Sequence, residues 1–154
     1  MAEIDFLNNG TQVIVTASEY KDVYNVLRDA SGLHTQDIFM ILLYIGTHTG
    51  HKMSANSYDG KQFRTSYLTK KQAGVLYGLA FRDGVIKNTE DFQDPRVINA
   101  AKTLFNEYAN QGASLIQNKV LNDFDLNSMN KSQQTEMFIS LVEYLLSESK
   151  AAPF

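Results

Sequence analysis

The run IFMILLYI, Ile38–Ile45, is the longest apolar stretch in the chain, and it limits what the rest can build. It is too short to cross a bilayer, which takes about 20 residues. A segment apolar on every side has to be surrounded by protein. Thr35 ahead of it, Asp37 in what would be its first turn and Gly46 at its end favour a buried central helix over Gln36–Ile45. A buried central strand is the rival assignment for so short a run.

The flanking sequence supplies helices to surround that element. Thr16 with Glu19 three residues on reads as a capping box. Tyr20, Val23, Tyr24, Leu27 and Ala30 then recur at helical spacing up to Gly32. Thr69 with Gln72 repeats the signature ahead of Ala73, Leu76, Tyr77 and Ala80, with Gly84 as the stop. Gly74 and Gly78 lie inside that helix, each at a cost of about 1 kcal/mol against alanine. Close approach of a second helix would explain them, as would a ligand pressed against bare backbone. Asp94-Pro95 opens a fourth helix, with Asp94 as N-cap and Pro95 in the first turn. Its apolar stripe runs from Val97 to Ile116, and it either continues to Leu121 or breaks near Gly112. A fifth, Lys131 to about Ser147, would turn Met137, Phe138, Leu141, Tyr144 and Leu145 inward.

Near the start, Thr11–Val15 is rich in β-branched residues, and Gln62–Leu68 is its one plausible partner. The expectation is a mainly α fold: a compact bundle of about five helices with room for one short β-strand pair near the N-terminus. It is read as a single helical domain over 1–154, with 1–15 and 149–154 peripheral. Phe39, Leu42, Leu43, Leu76, Phe105, Leu141 and Leu145 should share its core.

Chemistry is sparse. With no cysteine, a disulfide scaffold, a thiolate zinc site and a cysteine nucleophile are excluded. His48-x-x-His51 is a metal-like spacing without a third ligand nearby, so it reads as a polar loop and no metal is expected. Asp91 with Asp94 and Asp123 with Asp125 sit at helix boundaries, where carboxylates cap. Arg82-Asp83 is read as a helix C-terminus closed by Gly84 rather than a catalytic pair. No phosphate-cradling glycine loop or serine elbow occurs. No catalytic residue and no cofactor are therefore assigned, and the chain is expected not to be an enzyme. The N-terminus has no leader-like apolar run, which points to a cytoplasmic protein without membrane attachment.

The sharpest pattern is His48–Lys71, which holds five basic residues against one acid in a chain of net charge −3. Lys52, Lys61, Arg64, Lys70 and Lys71 are interleaved with Tyr58, Phe63 and Tyr67. Basic groups neutralise phosphates and aromatic faces stack on unpaired bases, so this stretch is the candidate contact with a nucleic acid or an acidic protein surface. A solvated loop with anchoring aromatics is the plainer alternative.

FNEYANQGASLIQNKV, Phe105–Val120, resembles the C-terminal helix of a family of accessory proteins, the fourth type, associated with bacterial Dnd loci for DNA phosphorothioation. The order of parts, from about Tyr20 to Leu146, is also similar. Asn110-Gln111-Gly112 departs from the family's Asn-Gly-Gly. The resemblance implies a non-enzymatic accessory role in a DNA-modification or phage-defence system, exercised by binding a protein partner from that system. The first alternative reading is a small nucleic-acid-binding module using 48–71, and the second is an enzyme whose catalytic residues follow no recognised motif.

Overall fold

The computed structural model describes residues 6–8 and 12–151. It is mainly helical, with five α-helices and one two-stranded sheet. Helix α1 covers Lys21–Ser31, α2 Thr35–Thr49, α3 Lys70–Arg82, α4 Pro95–Lys119 and α5 Lys131–Ala151. Strands β1 (Val13–Val15) and β2 (Gln62–Arg64) pair antiparallel with Val13 opposite Arg64, Ile14 opposite Phe63 and Val15 opposite Gln62.

The apolar run is a helix, and it lies at the centre. Ile38, Phe39, Leu42, Leu43 and Ile45 of α2 are all buried. Its principal partner is α4, whose Leu104, Phe105, Tyr108, Ala109, Ala113 and Ile116 are buried as well. Gly46 does not end α2. The helix continues for three more residues and closes at Gly50, whose φ of 73° is the left-handed conformation that glycine takes without a Cβ penalty. Helix α4 likewise passes through Gly112 without a break and ends at Lys119. Both interior glycines sit where the two helices touch. A Cβ on Gly46 would overlap the Tyr108 carbonyl, and one on Gly112 would overlap the Leu42 carbonyl.

Two helix starts follow the sequence reading. Thr69 and Gln72 exchange both bonds of a capping box, and the Asp94 side chain accepts from the Arg96 amide with Pro95 in the first turn. Thr16 and Glu19 do not cap α1, which is entered through a single 3-10 turn, Ser18–Tyr20. Thr16 is spent elsewhere: its hydroxyl donates to the Lys61 carbonyl at 2.6 Å. A strong local signature thus yields to a tertiary hydrogen bond.

The expected periphery also needs correction. Of the described residues before Thr16, Phe6, Leu7 and Ile14 are buried. Phe6 packs on Phe92 and Tyr77, at ring-centroid distances of 4.1 and 5.9 Å, and the Leu7 amide donates to the Tyr77 hydroxyl. Such isolated apolar residues show no periodicity, yet they complete an aromatic socket. Of the expected core, Phe39, Leu42, Leu43, Leu76, Phe105 and Leu141 are buried, and Leu145 is half-buried against them. Phe138 is not on the inner face of α5. It is exposed, together with Ile139, Val142 and Leu146.

Candidate functional site

The stretch after α2 is held in place along its length. The Met53 amide donates to the Glu107 carbonyl at 3.0 Å. Asn110 Nδ2 donates to the Met53 carbonyl at 3.0 Å and to the Tyr58 hydroxyl at 3.1 Å. Further on, Ser57 accepts from the Ser18 amide, Asp59 donates to Ser18 Oγ and Gly60 donates to Thr16. Residues 51–61 therefore form a strap pinned across α4 and the N-terminal segment, with most of its side chains exposed.

The strap also accounts for the segment Glu107–Asn110. In Glu107-Tyr108-Ala109-Asn110, the glutamate carbonyl and the asparagine amide hold the strap, and the alanine is buried. Gly112 admits α2. Each of these residues has a packing or hydrogen-bonding duty within the chain.

The candidate contact residues do not form one patch. Arg64 is exposed on β2, Tyr67 is 60% exposed in the following 3-10 turn, and Lys70 and Lys71 are exposed in the first turn of α3. Lys61 is half-buried just before β2. Lys52 lies instead close enough to Asp83, at the other end of α3, for its charge to act on that carboxylate. The two ends of a helix of this length are about 18 Å apart. Phe63 is unavailable for base stacking, because it is buried with its ring 5.1 Å from that of Phe39. Alternation on a strand turns Phe63 to the core while Gln62 and Arg64 face outward. Tyr58 keeps an exposed ring with its hydroxyl anchored by Asn110 and the Ala55 amide.

The histidines do not converge. His48 lies in the last turn of α2, stacked on Tyr44 at 5.8 Å, and His51 is exposed beyond the helix. Among the described residues, no group of three or more His, Asp or Glu side chains could hold a metal ion. Asp91 accepts from the Lys87 and Asn88 amides, and Asp125 from Ser128 and Asn127, so both carboxylates serve turns.

Three further features bear on function, one around Arg82-Asp83 and one beside the interior glycines of α3. The first is a polar cluster at the C-terminus of α3. The Tyr108 hydroxyl donates to Asp83, and Arg82 donates to Asp83 at 2.9 Å and to the Tyr108 hydroxyl at 3.1 Å. Burial alone would raise the Asp83 pKa, but the bonds from Tyr108 and Arg82 hold it below the ordinary carboxylate value. Burial first, and then the bond to Asp83, push Tyr108 up. Both Asp83 oxygens and the Tyr108 hydroxyl are engaged within the cluster, which ties the end of α3 to α4.

The second is an apolar groove of about 410 Å³ between α2 and α3, with Met40, Tyr44 and Thr47 on one side and Val75, Gly78 and Arg82 on the other. A second hollow of about 540 Å³ shares Met40 and Tyr44 and extends to Leu33, Gln72 and Leu145. A Cβ added at Gly74 or Gly78 would meet nothing within 4 Å, so neither glycine serves packing among the described residues. The third is a smaller cavity between β1, the strap and α4, lined in part by Asn99, Lys102, Thr103 and Asn106. Among the described residues, no helix is long and apolar enough to cross a membrane. Comparison with protein-family models, with curated proteins and with solved structures finds no match to this chain.

Proposed function

We propose that the chain is a non-enzymatic adaptor that captures a protein partner in the groove between α2 and α3. The observation that carries this reading is Gly78, which lines the groove. It costs α3 about 1 kcal/mol relative to alanine, and a Cβ added there would meet nothing within 4 Å among the described residues. Bare backbone beside exposed Val75 and Tyr44 offers an apolar floor on which a partner helix can lie closely. The resemblance at Phe105–Val120 supplies the setting: an accessory role in the cytoplasm, beside a DNA-modification or phage-defence system.

The test is capture from the native host with tagged wild-type protein, Gly78→Gln and Val75→Glu, followed by mass spectrometry. Both variants alter exposed positions and should remain folded. A partner that co-purifies with the wild type should be lost from both. Retention of the same partner by both variants would rule out the groove as the docking face.

A second reading, a nucleic-acid-binding module within 48–71, draws on Tyr67. Its ring is the most exposed of the large apolar side chains, and Arg64, Lys70 and Lys71 flank it in sequence. A free aromatic face beside cations is the arrangement on which an unpaired base stacks.

A further inference from the structure

The apolar surface of the groove between α2 and α3 does not end at α2. The hollow that shares Met40 and Tyr44 with it reaches Leu145 of α5, so α2 lies between α3 and α5 on this face. Leu145 leads into the exposed stripe of α5, because Phe138, Val142 and Leu145 recur at i, i+4 and i+7 and so share one side of the helix. Ile139 and Leu146 broaden the stripe and are 51% and 57% exposed. Val75 on α3 and Tyr44 on α2 are exposed as well. Apolar residues scattered singly over a surface need no explanation, but a face that crosses three helices marks a contact with protein.

The two edges of this face carry opposite charge. On α3, Lys71, Val75, Gly78 and Arg82 follow at i, i+4, i+7 and i+11, which sets both cations on the side that carries the groove. Lys71 is exposed and forms no ion pair among the described residues. Arg82 is exposed beside its own Asp83. On α5, Glu136 and Glu143 lie three residues before Ile139 and four after it, along the border of the stripe away from Leu145. Both are exposed and without an ion pair among the described residues. Lys131 lies two turns before Phe138, at the start of α5 and beyond the stripe. Asp37, in the hollow, is engaged by Gln72 of its own chain at 3.0 Å.

A basic edge, an apolar centre and an acidic edge, in that order, complement the same face turned over. A two-fold axis running along α2 sets α3 of each copy against α5 of the other. The cations of each basic edge then meet Glu136 and Glu143 of the opposite copy, and the apolar centres close on each other. We propose that two copies of this chain pair through this face, each laying the stripe of α5 against the groove of the other. The groove is covered in the pair, so a different protein enters it by displacing the second copy. Self-pairing goes beyond the adaptor reading and is tested without any other protein.

Light scattering during size exclusion of the full chain, at a series of concentrations, measures the mass. The expected result is a dimer that dissociates in the micromolar range. Leu146→Glu changes an exposed side chain outside the groove and should give a monomer with an unchanged thermal midpoint. Lys71→Glu and Glu143→Lys should each weaken the dimer about tenfold, by bringing like charges together at both edges. The two changes combined should recover most of that loss. Should Leu146→Glu unfold, the charge variants still decide the matter. A chain that stays monomeric at about 100 µM would overturn the proposal while leaving the groove open to a different protein. A dimer indifferent to Leu146→Glu, or a combined charge variant no tighter than the single ones, would overturn it as well.

Discussion

Gly46 of α2 lies directly against the backbone of Tyr108 in α4, and one turn away Gly112 of α4 lies against the backbone of Leu42. The two contacts are reciprocal, so the helices run antiparallel and meet backbone to backbone with no side chain between them. This closeness leaves Leu42, Leu43, Ala109 and Ala113 buried on either side of the contact. Alanine at Gly46 or Gly112 should therefore force the helices apart. Despite the better helix propensity of alanine, each change should destabilise the fold by about 1–3 kcal/mol in urea unfolding. Gly74→Ala and Gly78→Ala should have the opposite sign, stabilising by up to about 1 kcal/mol. A common sign for all four variants would contradict the assignment of two glycines to packing and two to open surface.

Leu42 has no exposed surface and sits beside that contact in the middle of α2. Leu42→Ala should cost about 2–5 kcal/mol, since the backbone contacts on either side leave little room for collapse into the cavity. A cost below about 1 kcal/mol would mean that α2 is not the element around which the bundle is built.

The Arg82–Asp83–Tyr108 cluster should give stability a defined pH dependence. The Asp83 pKa is depressed in the folded state, so the stability it contributes is present above about pH 4 and lost as the pH falls through the folded value. Tyr108 is raised, so its contribution is complete below about pH 10 and disappears as the pH climbs through its folded value. Asp83→Asn should cost about 1–3 kcal/mol at neutral pH, through loss of charge-assisted bonds. The gap between variant and wild type should narrow as the solution is acidified. Thermal midpoints of the two proteins across pH 2–7 measure this directly, and a gap independent of pH would exclude the ionised carboxylate as its source.

Features that depend on neighbours in sequence were legible. The Thr69–Gln72 box, the Asp94-Pro95 start and the all-round apolarity of Ile38–Ile45 each state a local preference that the packing respects. Features that depend on what arrives from elsewhere were not. Gly46 and Gly74 look alike in one dimension, since both are glycines within apolar helical sequence. Only the position of α4 shows that one meets a backbone and the other meets solvent. Phe63 reads as an aromatic in a basic stretch until strand pairing turns it onto Phe39. Asn106 is one polar residue among many on α4 until its amide meets the Val15 carbonyl of β1.

The basic stretch offers the last prediction. If a contact with phosphates or an acidic surface is made there, the exposed run Arg64, Lys70 and Lys71 should carry it together with half-buried Lys61. Lys52 belongs to the other end of α3. Reversing Lys61, Arg64, Lys70 and Lys71 to glutamate should leave the fold intact, because none of the four forms an ion pair among the described residues and charges at or near the surface contribute little to stability. It should weaken capture of an anionic partner far more, charge for charge, than reversing Lys87, Lys119 and Lys131, cations that lie elsewhere. Lys102 is unsuitable as a control because it lines the small cavity. Salt then separates the two kinds of partner. Binding to single-stranded nucleic acid releases counterions, so its affinity falls with a slope of about 0.7 per phosphate neutralised on logarithmic axes. An adaptor contact centred on the apolar groove should fall much less steeply. Tyr67→Ala adds a second discriminator: base stacking should lose about 1–3 kcal/mol, whereas a groove contact with protein should be unaffected. Equal losses from the two charge-reversal sets would show that these cations serve only solubility.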